Sequence, residues 1–295
     1  MPRGTTYEHA VRKLILDQSK RAHVGHVGSS MAIADIVTLL YDRLLKGQDP
    51  DDTDRDRVVL SKGHAALALY CALALNGHIS SSELDTYCAD DSLLGVHPEP
   101  ELKGVDFGTG SLGQGLSIGA GAALAARIQG SRRRVFVVNS DAECNEGAIW
   151  EAVMFAAQHK LSNLVSIVDM NAQQAFGYTR DVIDMEPMAD KWRAFGWDVH
   201  DVDGHDVDVM EDVVRSLDFE SGPPHVLLAR TDFGGGVSYM RRQIKWHYLP
   251  MSDDDYATAL SDIQIRQTER KPPSDQGANG AVAASPGKRG RKAKT

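Results

Sequence analysis

The segment from Val135 to Gly177 constrains the fold more than any other part of the chain. VFVV at 135–138 is a short run of β-branched and aromatic residues, which is typical of a buried parallel strand. EGAIWEAVMFAAQHK carries apolar residues at helical spacing, and LVSIVD predicts a second strand. Asp141 follows the first strand and Asn171 follows the second. The segment therefore predicts two parallel strands that bring a carboxylate and a carboxamide to the same edge of a sheet.

Strands and helices alternate along the rest of the chain, with further strands predicted at RVVL, WDVHDVD and HVLLART. This alternation predicts an α/β fold with a single doubly wound, mostly parallel sheet and helices on both faces. We expect one domain over residues 1–270. Residues 271–295 are rich in Pro, Gly, Ala and Ser and end in GKRGRKAKT, so we expect a disordered basic tail. A solvated tail is the simpler interpretation, with a nucleic-acid or targeting role as the alternative.

Composition excludes several classes of protein. No run of eighteen apolar residues occurs, so no membrane span is expected. The charged start lacks the apolar stretch of a signal peptide. The net charge is −9, and the tail alone carries six Lys/Arg and one Asp, which leaves the body near −14 and argues against a nucleic-acid partner. Three scattered cysteines, Cys71, Cys88 and Cys144, indicate reduced thiols, and hence a cytoplasmic protein.

Asp141 and Asn171 both offer oxygen ligands. A hard divalent cation that is held by one or two protein groups and by the phosphates of a ligand suits such a pair. Parallel sheets bind ligands at the carboxyl ends of their strands, where both residues are expected to lie. The competing interpretation is an ordinary strand–helix–strand unit with an aspartate at a turn.

A second candidate site is the glycine-rich GTGSLG at 108–113, which matches the dinucleotide pattern G-x-G-x-x-G. KGVDF before it is a poor strand, and IQGSRRR, about twenty residues on, contains no carboxylate. The G-K-[ST] ending of a P-loop is missing as well. We therefore reject both nucleotide-binding interpretations. A loop that lies close to a bulky diphosphate ligand remains, as does a plain helix start that packs through small residues.

Four histidines lie in Gly/Pro-rich loops beside predicted strand or helix ends: His26, His64, His97 and His247. A histidine with a pKa near 6.5 serves as an acid or base at neutral pH, and an acid–base network on sugar hydroxyls would need residues of this kind. A zinc site is the competing idea. Their spacing matches no compact ligand pattern and no cysteine lies near, so we set zinc aside. Each histidine alone would be an ordinary surface residue.

Six motifs occur in one order: GHVGSSM, SKGHAALALY, GVHPEP, TGSLGQGLS, the Asp141/Asn171 unit and KWH. This order resembles the N-terminal, diphosphate-binding domain of transketolases over roughly residues 10–265. The Asp141/Asn171 unit resembles the thiamine diphosphate motif G-D-G followed about thirty residues later by Asn. Here the two glycines are Ser140 and Ala142. A glycine permits close approach or a positive φ, so the replacements put cofactor affinity and loop shape in question.

The resemblance implies the thiamine-diphosphate-binding fold and a set of site residues. Asp141, Asn171 and the main-chain carbonyl of Gln173 would bind Mg²⁺ or Ca²⁺. The cofactor-binding residues would be His64, Gly110, Ser111, Leu112, Asp141, Ala142, Asn171 and His247.

The same resemblance assigns substrate contacts and one residue at an interface. His26 and His247 would contact the oxygens of the substrate, and His97 would help to position the hydroxyls of the donor sugar. Glu146 matches a glutamate that communicates with the cofactor's activating carboxylate across a subunit interface. A first-turn helix glutamate that favours the helix dipole is the alternative for Glu146. Two positions depart from the family pattern, Val27 where Pro is common and Gly235 where Lys is usual, so an unusual sugar or phosphate is implied.

A full transketolase is about twice this length, and its second domain carries the glutamate that protonates the aminopyrimidine. This chain resembles the split transketolases. The resemblance therefore implies a separate C-terminal subunit with the pyrimidine-binding domain, a heterotetramer with two copies of each chain, and two-carbon ketol transfer from a ketose or its phosphate to an aldose. Two alternatives stay open: the α subunit of a 2-oxo acid dehydrogenase or decarboxylase, and a non-catalytic relative.

Overall fold

The computed structural model describes residues 5–47 and 49–269, so the predicted tail at 271–295 lies outside the described residues. At the centre is a five-stranded sheet with the order β1-β2-β3-β7-β6. All four strand pairs in it are parallel, which confirms the predicted sheet. The strands are β1 Arg57–Leu60, β2 Val135–Ser140, β3 Leu164–Met170, β6 Asp198–Asp203 and β7 His225–Arg230. The central strand β3 and its neighbour β2 are buried along their whole length.

Helices cover both faces of the sheet. Alternate residues of β2 point to opposite faces, so Phe136 packs into one apolar cluster and Val137 into the other. The first cluster is covered by α1 Tyr7–Ala22, α2 Val27–Ala32, α3 Ala34–Thr38, α4 Ala66–Leu75, α10 Val207–Ser216 and α11 Asp253–Glu269. The second is covered by α6 Gly115–Ile128, α7 Gly147–Gln158 and α9 Met188–Ala194. None of the helices in the described ranges is both long and apolar enough to cross a bilayer.

Smaller elements refine the sequence-based picture. Helices α2 and α3 are separated at Ile33, whose φ is −96° and ψ is 9°, and a π-helical turn at Leu39–Leu44 follows α3. The short helix α5 Ser81–Leu84 begins at Ser80 with a capping box that includes Glu83. Two features escape the sequence analysis: the hairpin of β4 Gln173–Gln174 and β5 Gly177–Tyr178, and the one-turn helix α8 Thr179–Val182.

A buried ion network, here called the Asp35 network, joins the two ends of the described chain. The Asp35 carboxylate on α3 accepts hydrogen bonds from Arg12 at 2.9 and 2.5 Å, from Arg266 at 3.1 Å and from His205 at 2.9 Å. Arg12 Nε also donates to the carbonyl of Gly235 at 3.2 Å. Burial alone would raise the pKa of Asp35, but the neighbouring cations and His205 hold it well below its usual range. Helix α11 is thereby fastened to α1 and α3.

Candidate active site

A cavity of about 210 Å³ opens where β1, β2 and β3 end. This is the sheet edge at which the sequence predicts a ligand site. Its walls include four histidines, a lysine and the loops that follow β2 and β3. The lining residues are His26, Ser29, Lys62, His64, His97, Gly110, Leu112, Ser140, Ala142, Asn171, Gln173, Gln174, Ala175 and His247.

Asp141 lies directly behind this lining, at the end of β2, and is buried. Its carboxylate accepts hydrogen bonds from the backbone N–H of Ala142 at 2.8 Å and of Ala172 at 2.7 Å. Burial, and then the nearby Asp169 carboxylate, raise the pKa of Asp141 to about 7. A cation bound beside Asp141 would offset the free-energy cost of keeping this buried carboxylate ionised.

Asn171 and Gln173 occupy the turn that follows β3. Asn171 Nδ2 donates to Asp169 Oδ2 at 2.7 Å, and Asn171 Oδ1 accepts from the backbone N–H of Gln173 at 2.9 Å. Ala172 between them has a φ of 62°, a left-handed conformation that is uncommon for alanine. Gln173 Oε1 is buried and has no hydrogen-bond partner in the described part of the chain. The structure thus brings the three predicted metal ligands to neighbouring strand ends.

Ser140 and Ala142 occupy the two glycine positions of the motif without backbone strain. Asp141 between them has φ −59° and ψ −43°, and Ala142 begins a 3₁₀ turn that runs to Asn145. Neither Ser140 nor Ala142 is among the residues of the described ranges with positive φ. The Ser140 hydroxyl accepts from the backbone N–H of Glu143 at 3.1 Å and helps to form this turn. Loop shape therefore does not require glycine here.

The four histidines converge although up to 221 positions separate them in sequence. The ring centroids of His26 and His64 lie 5.5 Å apart, and that of His247 lies 6.2 Å from His26 and 6.3 Å from His64. His97 lines the same cavity. His26 has a φ of 62°, and its backbone N–H donates to the carbonyl of His247 at 3.1 Å. Strained backbone of this kind is often found at functional sites.

The protonation of these histidines differs from the sequence-based expectation. Burial lowers the pKa of His26, and His97 and Lys62 lower it further. Burial and then Lys62 lower the pKa of His64 well below 6.5 and that of His247 to about 4. These three rings are therefore neutral at pH 7 instead of titrating near it. In the described structure, the buried Nδ1 atoms of His26 and His247 have no hydrogen-bond partner.

Lys62 is a site residue that the sequence analysis missed. It is buried, and its Nζ lies 2.5 Å from Asp169 Oδ2. Asp169 also accepts hydrogen bonds from Asn171 and from Thr231 Oγ1. The signal was available, because Lys62 stands two residues before His64 in the SKGH motif. A fixed ammonium on the wall of the cavity favours an anionic ligand.

Phe233 packs against the His247 ring and was also not predicted from the sequence. The two rings stack with centroids 4.5 Å apart and planes 6° apart. A Cβ on Gly28 would collide with the Phe233 ring, so only glycine at position 28 lets the ring sit there. The orientation of His247 therefore depends on two apolar neighbours.

The glycine-rich loop forms one wall of the cavity. A Cβ on Gly110 would lie 3.2 Å from the His97 ring, so the loop packs tightly there. Leu112 lines the cavity, whereas Ser111 is exposed and lies outside the lining. Glu146 is also exposed and does not line the cavity. It is the N-cap residue of α7 and so precedes the first turn, and its side chain makes no capping hydrogen bond. A Cβ on Gly113 would lie 2.6 Å from Glu146 Cβ.

Comparison with known families assigns this arrangement. The family model described as transketolase, thiamine diphosphate binding domain matches residues 5–268, and the chain belongs to this family. One of the subunits of apulose-4-phosphate transketolase from Phocaeicola vulgatus is 39% identical over 260 residues, which cover 86% of this chain and 92% of that protein. A 6-deoxy-6-sulfo-D-fructose transketolase subunit of a Clostridium species is 38% identical over 87% of this chain and 94% of its own length. The chain is accordingly an N-terminal transketolase-type enzyme subunit.

Solved structures agree with this family assignment. Transketolase from Campylobacter jejuni matches with a TM-score of 0.81 and 28% identity over 88% of this chain and 42% of that one. Transketolase from Pichia stipitis in complex with sedoheptulose 7-phosphate matches with a TM-score of 0.79 and 25% identity over 89% of this chain and 44% of that one. The chain thus spans about two fifths of the length of these solved transketolases.

Proposed function

We propose that this chain is the N-terminal subunit of a thiamine-diphosphate-dependent transketolase that works only with a separate C-terminal subunit. The pair would transfer a two-carbon ketol unit from a ketose or ketose phosphate to an aldose. The observation that carries the proposal is one cavity, at the carboxyl ends of three parallel strands, that joins oxygen ligands to four histidines.

Asp141, Asn171 and the main-chain carbonyl of Gln173 would hold Mg²⁺ or Ca²⁺. Three observations support this fit. All three residues are buried and offer oxygen, the donor type that hard cations prefer. Burial and then the Asp169 carboxylate raise the pKa of Asp141, and a bound cation would offset both effects. The side-chain oxygen of Asn171 accepts a hydrogen bond from the backbone N–H of Gln173 at 2.9 Å and, as a carbonyl oxygen, has a second lone pair for a cation.

Thiamine diphosphate, when bound, supplies the nucleophilic carbon and the electron sink for ketol transfer. Lys62 provides a fixed positive charge for the diphosphate. His64 and His247, neutral at pH 7, each offer one ring N–H to the diphosphate oxygens. Gly110, Leu112 and Ala142, which line the cavity, would complete the wall against the cofactor.

His26, His97 and His247 would bind the hydroxyls of the sugar and exchange protons with them. A neutral ring accepts a proton at one nitrogen and donates one from the other, so both directions of transfer are open. Neither Gly235 nor Val27 lines the cavity, and a Cβ on Gly235 would lie 2.6 Å from His205 Cε1 in the Asp35 network. The lysine usual at position 235 would therefore not fit without movement of His205. The relatives named above differ from one another in their sugars, which supports a sugar outside the common set for this chain.

The C-terminal subunit would dock over the mouth of the cavity. Apolar side chains beside the lining are exposed there: Leu112 at 37%, Phe176 at 83%, Tyr248 at 56% and Leu249 at 53%. Exposed Glu146 lies on the same chain segment as the metal ligand Asp141 and would face the partner. We propose a heterotetramer with two copies of each chain, located in the cytoplasm, where the three free thiols would stay reduced.

Assays of the chain with and without its C-terminal subunit test this proposal. We expect turnover of xylulose 5-phosphate only in the complex, and full activity of the lone chain would overturn the partner requirement. Asp141→Ala in the complex should lower kcat by roughly 10³-fold and release the cofactor, in the range for a lost electrostatic contact to the reacting group. Asp208→Ala, an exposed aspartate on α10, is the matched control and should behave like the parent.

Two further measurements separate the alternatives. Turnover of pyruvate instead of the sugar phosphate would indicate a 2-oxo acid enzyme. Calorimetry with thiamine diphosphate and Mg²⁺ in the presence of the partner should show binding, and no heat at millimolar cofactor would indicate a non-catalytic relative.

A further inference from the structure

A second cluster of possible metal ligands lies at the opposite end of the sheet. Asp198 and His200 are on the edge strand β6 and point to the same face, because they are two residues apart. His225 begins β7 and pairs directly with Asp198. Asp198 Oδ2 lies 2.9 Å from His200 Nε2 and 3.0 Å from His225 Nδ1. Neither the sequence motifs nor the proposed ketol transfer makes use of this cluster.

His225 faces two hydrogen-bond acceptors. Its Nε2 lies 3.1 Å from the carbonyl oxygen of Asp218, which can only accept, and its Nδ1 faces the Asp198 carboxylate. A neutral imidazole has a single N–H. When Nε2 donates that N–H to Asp218, the lone pair of Nδ1 faces the Asp198 carboxylate, and a cation between these two atoms would bond to both. Metal-bound histidines commonly donate their other N–H to a backbone carbonyl, as Nε2 does here.

We propose that Asp198, His200 and His225 bind a divalent transition-metal ion of the zinc class. Two imidazole nitrogens and one carboxylate oxygen are ligands that Zn²⁺ accepts, and water would fill the remaining position beside half-exposed Asp198. Mg²⁺ prefers oxygen ligands and does not compete well for such a set. The site therefore differs in metal preference from the oxygen-lined site at Asp141 and Asn171.

The cluster is compact enough for one ion to contact all three ligands. The three candidate ligand atoms all lie within 4.8 Å of one another. Around a tetrahedral ion with bonds of about 2.0–2.1 Å, neighbouring ligand atoms lie roughly 3.3 Å apart. Asp198 Oδ2, at 2.9 and 3.0 Å from the two imidazole nitrogens, would move slightly away from both. The side chains of Asp198 and His200, 42% and 26% exposed, can adjust to bring the two nitrogens to this spacing, while His225 stays fixed by Asp218 and by the Phe219 ring 5.9 Å away.

The position of the cluster indicates a structural role. Asp198 and His225 are the first residues of β6 and β7, whereas the cavity lies at the carboxyl ends of the strands. A metal ion here would tie the edge strand β6 to β7, away from the chemistry. Edge strands have a hydrogen-bonding partner on one side only, so a cross-strand metal link would restrict their opening.

Co²⁺ titration of the chelator-treated full-length chain tests the proposal, with saturating Mg²⁺ and thiamine diphosphate present. We expect one Co²⁺ per chain with visible d–d absorption, displaced by Zn²⁺ and not by Mg²⁺. At 100 times its Kd, the ion should raise Tm by about 5 °C. His200→Ala should lose this equivalent and this shift in Tm.

Two control variants keep the result specific. His159→Ala removes an exposed histidine on the other side of the sheet, and His26→Ala removes one from the cavity, and both should keep the bound Co²⁺. The proposal is overturned if His200→Ala binds Co²⁺ like the parent, or if His26→Ala abolishes binding. Absence of Co²⁺ binding by the parent chain would equally overturn it and leave a purely hydrogen-bonded cluster. His200→Gln serves if the alanine variant is poorly folded.

Discussion

The Asp35 network and the cavity are both buried polar clusters, yet they differ in how completely their groups are paired. In the Asp35 network, both carboxylate oxygens of Asp35 are bonded to Arg12, Arg266 or His205, and His205 Nε2 accepts from a backbone N–H at 2.8 Å. Around the cavity, the described structure leaves His26 Nδ1, His247 Nδ1 and Gln173 Oε1 without partners. Buried polar groups are normally hydrogen-bonded, so unpaired ones require an explanation.

The difference separates architecture from function. A network that only holds helices together completes its hydrogen bonds within the chain. A binding site keeps donors and acceptors open for a ligand, and the chain is less stable for it until the ligand arrives. The two clusters should therefore respond in opposite ways to mutation, pH and cofactor.

The largest expected effect on stability comes from breaking the Asp35 network. Asp35→Ala leaves Arg12 buried without its carboxylate, which should lower the free energy of unfolding by about 3–5 kcal/mol. Urea denaturation of the chain alone measures this. Asp208→Ala, at an exposed position, should change it by less than about 0.5 kcal/mol. A loss below about 1 kcal/mol for Asp35→Ala would show that the network does not fasten the helices.

Replacing a carboxylate beside the cavity should instead raise the free energy of unfolding, and this gain should depend on pH. The pKa of Asp141 is raised from 3.8 in model peptides to about 7 in the folded chain. Below about pH 4 the Asp141 carboxyl group is protonated in both the folded and the unfolded chain, so burial of this group costs the fold least there. As the pH rises through 7, the free energy of unfolding falls by up to about 4 kcal/mol. Without cofactor, Asp141→Asn should be more stable than the parent at pH 8 and nearly equal at pH 4. Equal pH profiles by thermal denaturation would contradict this account, with Asp208→Asn as the control.

Binding of the cofactor in the cavity should stabilise the folded chain, and this gain should not depend on the Asp35 network. Thiamine diphosphate and Mg²⁺ at 100 times the Kd should raise the free energy of unfolding by about 2.7 kcal/mol, and removal of Mg²⁺ with a chelator should reverse the gain. The gain should persist in Asp35→Ala if that variant folds, and vanish in Asp141→Ala. An unchanged gain in Asp141→Ala would contradict the proposed metal site.

The smallest effect on stability is expected at His26. Its Nδ1 has no partner in the described ranges, so His26→Asn should change the free energy of unfolding by less than about 1 kcal/mol. Asparagine is chosen because it tolerates the positive φ at this position. Ketol transfer by the complex should nevertheless fall by roughly 10² to 10⁴-fold, as for a lost proton-transfer residue. A destabilisation of several kcal/mol would instead make His26 a structural residue.

Periodicity and strand-end residues were enough to predict the sheet and the edge at which the cavity lies. The runs at 135–138 and 164–169 are apolar and β-branched almost throughout, and such runs leave little choice but buried parallel strands. The order of the motifs then predicted that His26, His64, His97 and His247 lie close together, and all four line the cavity. The sequence contains no such indication of which residues far apart in the chain contact each other. The contact between Lys62 and Asp169 spans 107 positions, and nothing local to either residue indicates its partner.

Protonation was equally beyond the sequence. A histidine has the same unperturbed pKa wherever it stands, and only the packing of the cavity shows that burial and Lys62 lower it. The strain at Ala172 and the unstrained Ser140 and Ala142 are likewise properties of the folded loops.

The contact between Gly28 and Phe233 limits how this site can evolve. Any side chain at position 28 would push the ring off His247, and a smaller residue at 233 would leave that imidazole without its backing. Neither replacement is neutral by itself, although the two changes could compensate for each other. Among homologous sequences, positions 28 and 233 should therefore vary jointly or stay fixed, and a descendant that altered one of them first would cross a fitness valley.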